Sequence, residues 1–315
     1  MDKTGLKKYL ESKSLKANTI EYYTRHVAIF FARAKKEDLQ VTKPDILKFL
    51  EYLKNGRKIQ STTRYHYLVA LNYYFSFLYE NGKIATNPCL FLKIRGIHKK
   101  KLHKIYTPEE LDKLYDTYYQ LFVRNFDDSR HRHEKQKQYS ALCRERNALM
   151  LSVLINQGTT VSEMDKLEMC DLDLTKATLK IKGGNRLNDR TLPLKATQIG
   201  LFIHYLQNIR PQLLEYHTIE SNKLFLSLPA ISKKKTDDDK LRSPFFYLAP
   251  QIKSIDKQFF NFHQIRASVI SFWIKTQGLR KAQHLAGHRC ICTTEKYVTN
   301  NLDNLIEDIN KLHPF

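Results

Sequence analysis

Long apolar runs are missing from this chain. None approaches the roughly 20 residues that a membrane span needs, and the opening MDKTGLKKYL has no secretory apolar core. Cysteine is scarce and odd in number. The five residues (Cys89, Cys143, Cys170, Cys290 and Cys292) are scattered, which argues against a disulfide framework and suits reduced thiols. With 10 Gly and 9 Pro, the chain is too poor in both for a fibrous or low-complexity protein. These absences predict a soluble, cytoplasmic protein with no membrane partner. Acidic residues are also short, 32 against 53 Lys plus Arg, which leaves a formal charge of +21. Such an excess implies a polyanionic partner, usually nucleic acid. A membrane surface or a ribosome would fit the charge equally well, so charge gives class and not identity.

What the chain does have is enough apolar material, 42% of 315 residues, for two packed cores. The first ninety residues read as helices with almost no two-residue alternation. A helix opens at about residue 6. A capping box at Asn18 and Glu21 precedes Ile20, Tyr23, Val27, Phe30 and Phe31 at helical spacing. Thr42 and Asp45 open a run containing Ile46, Phe49, Leu50 and Leu53, and a further run from Ser61 stops at Asn81-Gly82. The expectation is a bundle of four or five helices over residues 1–92. Residues 93–104 (KIRGIHKKKLHK) are cation-rich and read as a linker, either a solvated tether or a segment lying along phosphates. Thr107-Pro108-Glu109-Glu110 is a strong helix start for a second domain over 105–315.

That second domain reads as mixed. A polar, basic stretch at 124–146 precedes an apolar helix at 148–155. A hairpin follows, 177–181 and 190–194 around KGGNRLND, then a helix near 197–209 and a short strand at 224–226. Residues 228–256 look like an exposed insertion. The fold expected is mainly α with a small β-sheet.

The chemistry concentrates between His263 and Tyr297. His263 and Arg266 lie three apart, so a helix puts them on one face. A helix then stops at Ala286-Gly287, with His288 just beyond, and Tyr297 follows nine residues later. Two imidazoles, a guanidinium and a phenol suit phosphoryl transfer: arginine grips phosphate oxygens, histidine moves protons and tyrosine attacks. Each element alone is common, and the chain holds 18 tyrosines.

Together, His263-Gln264-Ile265-Arg266, Ala286-Gly287-His288 and Thr293-Thr294-Glu295-Lys296-Tyr297 resemble the C-terminal signature of the tyrosine site-specific recombinases, the lambda-type integrases and Xer proteins. The resemblance covers nearly the whole chain. It implies a SAM-like helical core-binding domain followed by an α+β catalytic domain, the two clamping a duplex. It implies a DNA recombinase or integrase that cuts and rejoins through a 3′-phosphotyrosyl link, without ATP, metal or other cofactor. Tyr297 would be the nucleophile. Arg266 and His263 would stabilise the phosphate, and His288 would donate to a non-bridging oxygen. Lys182, entering the hairpin turn, would protonate the 5′-oxygen, with Arg186 as the fallback. The implied partners are double-stranded DNA bearing a specific site and, through a tail helix at 300–315, neighbouring copies in a tetramer; an accessory DNA-binding factor is a further partner. That tail helix could equally fold back on its own domain.

The chain departs from the family at one position. The family's first catalytic arginine lies in Gly-x-Arg-x-Ser-Glu, and here Gly158-Thr159-Thr160-Val161-Ser162-Glu163 puts Thr160 in that slot. The enzyme could manage without it, another cation (Arg144, Arg146 or Arg186) could reach the phosphate, or the chain could be impaired, naturally or by engineering. The intact remainder of the motif favours the first two. Two other functions compete: a DNA-binding protein on the same scaffold without catalysis, and a type IB topoisomerase. A metal site at His284, His288, Cys290 and Cys292 is disfavoured, because CxC is not the usual zinc spacing. HRHEK at 131–135 reads as solvated.

Overall fold

Pro44 and Pro108 each stand in the first turn of a helix, where the absent N–H had no intrahelical partner to lose. Both helices open with a capping box, Thr42 with Asp45 and Thr107 with Glu110. The computed structural model describes residues 1–96, 104–127, 133–184, 187–218, 220–228 and 240–298. It divides into two compact units, Met1–Lys101 and Leu102–Phe315.

In the first unit, the described residues form α1 (Lys3–Ser12), α2 (Ala17–Ala34), α3 (Lys43–Asn55) and α4 (Ser61–Glu80). Helix α4 ends at Asn81, before Gly82 at φ +67°. The expected box at Asn18 and Glu21 does not form. Helix α2 starts at Ala17 with Lys16 in the cap position and no side-chain cap bond, so Asn18 lies inside the first turn. Leu10, Val27, Phe30, Ile46, Leu53, Leu71 and Phe75 are fully buried, and Phe30 meets Phe49 edge-on at 5.1 Å between centroids.

The second unit starts with α5 (Pro108–Tyr118), which runs into a π-helical turn, and continues with α6 (Glu134–Gln157) and the single turn α7 (Val161–Met164). The sheet is β1 (Leu172–Asp173), β2 (Thr178–Ile181) and β3 (Arg190–Pro193), antiparallel in that order, with Leu179 opposite Leu192 and Ile181 opposite Arg190. Then come α8 (Ala196–His204), α9 (Arg210–Leu214), α10 (Arg242–Ile255), α11 (Phe262–Gln277), α12 (Leu279–Ala286) and α13 (Ile291–Val298).

Three expectations need correction here. The polar stretch before residue 148 is no separate segment from residue 134 onward, because α6 is one 24-residue helix whose polar leading stretch carries the buried Arg144 and Arg146. Residues 224–226 are buried but form no strand; nearby, the described residues show an isolated bridge from Glu168 to Lys223. The presumed exposed insertion contains α10, whose Leu248 and Ile252 are fully buried. Among the described residues, no helix is long and apolar enough to cross a membrane.

Candidate active site

Helix α11 is started by Asn261, whose side-chain oxygen accepts from the Gln264 N–H at 3.2 Å. That cap fixes His263 in the exposed first turn and sends Arg266 inward, where it is 2% exposed. A buried guanidinium needs its donors met, and Arg266 is gripped from several sides. Its Nη1 donates to the Gly158 carbonyl at 2.6 Å and to Glu163 Oε2 at 3.2 Å. Its Nη2 donates to the Ala286 carbonyl at 2.8 Å and to His288 Nε2 at 3.4 Å. Gly158 ends α6 at φ +55°, a conformation that suits glycine and directs its carbonyl to this use.

Helix α12 ends the same way. Gly287, at φ +73°, turns the chain so that the His288 N–H bonds back to the Gln283 carbonyl at 3.0 Å. His288 Nδ1 pairs with Thr294 Oγ1 at 2.9 Å. Because Arg266 donates to Nε2, the network assigns the proton to Nδ1 and leaves the ring neutral. Burial, with the charges of Arg266 and Arg190, pushes this histidine down to about 4.

Tyr297 lies near both imidazoles. Its ring is 6.2 Å from His263 and 5.7 Å from His288 between centroids, nearly parallel to the latter. The residue is 9% exposed. Burial raises its phenol pKa, and Arg266 works against that rise by charge and hydrogen bonding. Four of the expected residues, His263, Arg266, His288 and Tyr297, therefore converge within one chain.

Lys182 is not part of that cluster. It follows β2, and its ammonium is held by Glu168 at 2.6 Å and Asp171 at 3.5 Å, with its pKa raised chiefly by the Glu168 bond. Glu168, Cys170 and Asp171 are the only described trio of potential metal ligands close together. Lys182 already pairs with both of its carboxylates, so the trio reads as an ion-pair cluster. His284, His288, Cys290 and Cys292 form no such group among the described residues.

Thr160 caps α7. Its Oγ1 accepts from the Glu163 N–H at 3.1 Å, and its own N–H and hydroxyl donate to Glu163 Oε2 at 2.8 and 3.0 Å. The cations proposed to stand in for the missing arginine are engaged elsewhere. Arg146 is fully buried, bonded to Asn147 and the Leu226 carbonyl. Arg144 covers the Phe126 ring at 3.8 Å and bonds Ser140. Arg186 lies outside the described residues, as do the tail at 300–315 and most of the 93–104 linker.

Sequence reasoning missed Arg190. This residue heads β3 and is 4% exposed. Its Nη1 donates to Glu163 Oε1 at 2.6 Å, so one carboxylate bridges Arg190 and Arg266. Burial pushes the Glu163 carboxyl up, but the hydrogen bond and charge of Arg190, with the charge of Arg266, hold it below the usual range. A signal was present in the alternation Arg190-Leu192-Leu194, which puts an arginine on the core face of a strand.

The catalytic half of the chain, residues 131–303, matches the model of the phage integrase family, and residues 4–82 match that of the phage integrase N-terminal SAM-like domain. The chain belongs to the phage integrase family. It is 27% identical over 302 residues to the tyrosine recombinase XerC of Roseiflexus sp. (strain RS-1), covering 94% of this chain and 88% of that one. It is 26% identical over 310 residues to the tyrosine recombinase XerA of Pyrococcus horikoshii, covering 96% and 90%. Among solved structures, its fold is similar to the XerH site-specific recombinase bound to difH in a post-cleavage complex, with a TM-score of 0.66, 20% identity, and 92% of this chain and 78% of that one covered. It is also similar to a lambda integrase tetramer on a Holliday junction, at 0.60 and 15%, covering 93% and 74%. At such identities these structures speak for the fold, which is that of the integrase family: a SAM-like helical domain and a mostly helical catalytic domain with a small sheet.

Proposed function

We propose that this phage-integrase family member is a site-specific recombinase that cuts and rejoins duplex DNA through a covalent bond to Tyr297. The observation that carries the reading is the Tyr297 ring packing against both His263 and His288 while Arg266 hydrogen-bonds its phenol. In this mechanism the phenolic oxygen attacks the scissile phosphorus in line. It forms a 3′-phosphotyrosyl bond and expels the 5′-oxygen, so the bond energy is kept in the adduct. Arg266 and His263 stabilise the charge of the pentacoordinate phosphate, and His263 assists removal of the phenol proton. His288 holds a non-bridging oxygen once the phosphate's charge offsets the burial that keeps it neutral. Lys182 leaves Glu168 and protonates the departing 5′-oxygen. A 5′-hydroxyl from a second duplex then attacks the adduct and completes exchange.

The relatives named as recombinases and the DNA-bound integrase structures support double-stranded DNA as partner and assembly of several copies on it. We further propose that residues 300–315 dock on a neighbouring copy, that an accessory DNA-binding factor assists at the natural site, and that residues 1–92, 93–104 and 105–315 serve as DNA-gripping domain, tether and catalytic domain. The strong positive charge makes affinity fall steeply with salt. The test is a nicked suicide duplex, whose cleavage strands the protein on DNA. A covalent complex that Tyr297→Phe abolishes without loss of binding is the expected result. Binding with no adduct from the unaltered chain would instead make it a DNA-binding module on the same scaffold.

A further inference from the structure

We infer that Arg190 takes over the work of the arginine missing at Thr160, delivering from strand β3 the second guanidinium that grips the scissile phosphate. This deepens the recombinase reading and rests on it. The two positions meet at the same carboxylate. In this chain Glu163 Oε2 accepts from Thr160 and Arg266, while Oε1 accepts from Arg190. A threonine at 160 is thus compatible with a filled site, because a guanidinium reaches Glu163 from the hairpin instead of from the α7 cap.

Arg190 is also the better equipped of the two arginines to receive a new anion. Arg266 already donates to two backbone carbonyls, a carboxylate and an imidazole. Among the described residues, the Arg190 guanidinium bonds Glu163 through Nη1 and keeps Nε and Nη2 buried with no partner. Such unmet donors are costly, and among the described residues no other side chain leaves two of them buried. Nε and Nη2 form one edge of the fork, which matches two oxygens of a phosphate.

Room for the fork is made locally. A Cβ at Gly287 would come within 2.8 Å of Arg190 Nη1, so the glycine before His288 admits the guanidinium. The hairpin is fastened there as well: the Asn188 N–H donates to the Gly287 carbonyl at 2.7 Å, and Leu187 pairs with His288. Arg190 therefore sits against the loop that carries His288 and shares the Glu163 carboxylate with Arg266. Its contribution is non-covalent: two N–H groups on non-bridging oxygens, strengthening as charge grows there in the transition state.

The test uses the full chain and a nicked duplex whose site is recovered by selecting bound sequences from a random pool. One version carries an ordinary scissile phosphate and the other a methylphosphonate, in which a neutral methyl replaces one charged oxygen. On the phosphate, Arg190→Gln should lower covalent-complex formation by about 10²–10³-fold. On the methylphosphonate, which has lost the charge to be balanced, the variant should come within about tenfold of the unaltered chain, whereas a structural defect would persist on both substrates. Arg190→Lys keeps a partner for Glu163 and guards against misfolding. It should fall between the two, with the same substrate dependence. An Arg190→Gln chain that cleaves phosphate normally, or Gln and Lys variants equally impaired on both substrates, would overturn the assignment while leaving Tyr297 chemistry standing. No adduct from the unaltered chain would overturn both.

Discussion

Tyr297 and His288 lie with nearly parallel rings within one chain, their planes 12° apart and their centroids 5.7 Å. Helix α13, which carries the tyrosine, packs on α11 and α12, which position Arg266 and His288. The proposed attacking group and the groups proposed to hold its target thus lie together within one chain. A mixture of Tyr297→Phe and Arg266→Ala proteins should therefore give no covalent complex above either alone. Adduct restored by mixing would mean that the tyrosine is donated across subunits.

His288 supplies a pH prediction. In the folded chain it titrates at about 4, against an ordinary value of 6.5. Its folded pKa is depressed, so its contribution to stability is intact above about 6.5. That contribution is lost as the pH falls toward 4, because the unfolded chain takes up a proton that the folded one refuses. A ring-proton NMR titration of the DNA-free protein should place His288 near 4. His288→Asn should flatten the stability profile between those limits, with His26, whose pKa burial also lowers, adding in the same direction. A midpoint near 6.5 would contradict the buried, neutral imidazole.

The role of Thr160 can be separated from catalysis. Its side chain caps α7, so Thr160→Ala should cost about 1 kcal/mol of stability, measured by denaturant unfolding. Cleavage measured below the transition should stay within a few-fold of normal. A loss of two orders of magnitude would mean that the hydroxyl acts on the phosphate.

Lys182 is tied to Glu168 and Asp171, so its proposed use as an acid requires exchange of partners on DNA. Lys182→Ala should slow cleavage by about 10²–10⁴-fold on an ordinary substrate. A substrate with sulfur at the bridging 5′ position has a leaving group that needs no proton, and it should restore the rate. Equal loss on both substrates would remove Lys182 from the acid role.

The residues from His263 to Tyr297 were legible because their arrangement is set locally. Asn261 starts one helix, Gly287 stops another, and spacing along the chain does the rest. Arg190 was not legible as a site residue, since its bond to Glu163 spans 27 positions and depends on where the hairpin docks. The leading stretch of α6 hid behind its polarity, since Arg144 and Arg146 are buried by tertiary contacts that no hydrophobic period announces. Helix α10 hid behind Pro244 and Pro250, ordinarily breakers, with Pro244 in the tolerated first turn and Pro250 inside. The helix starts at Thr42 and Thr107 were legible from cap and proline alone, whereas Asn18 misled because a polar residue one step inside a helix looks the same as one at its edge.

The latch between Asn188 and Gly287 has a mechanical consequence. Lys182 and Arg190 stand at the two strand ends that flank the hairpin turn, and the same turn leans on the loop carrying His288. A groove that tugs the turn sideways would move the proposed proton donor, the guanidinium and the imidazole together, as levers on one axle. A poorly seated duplex would then misalign all three at once, and sequence fidelity would be enforced at the bond-breaking step as well as at docking.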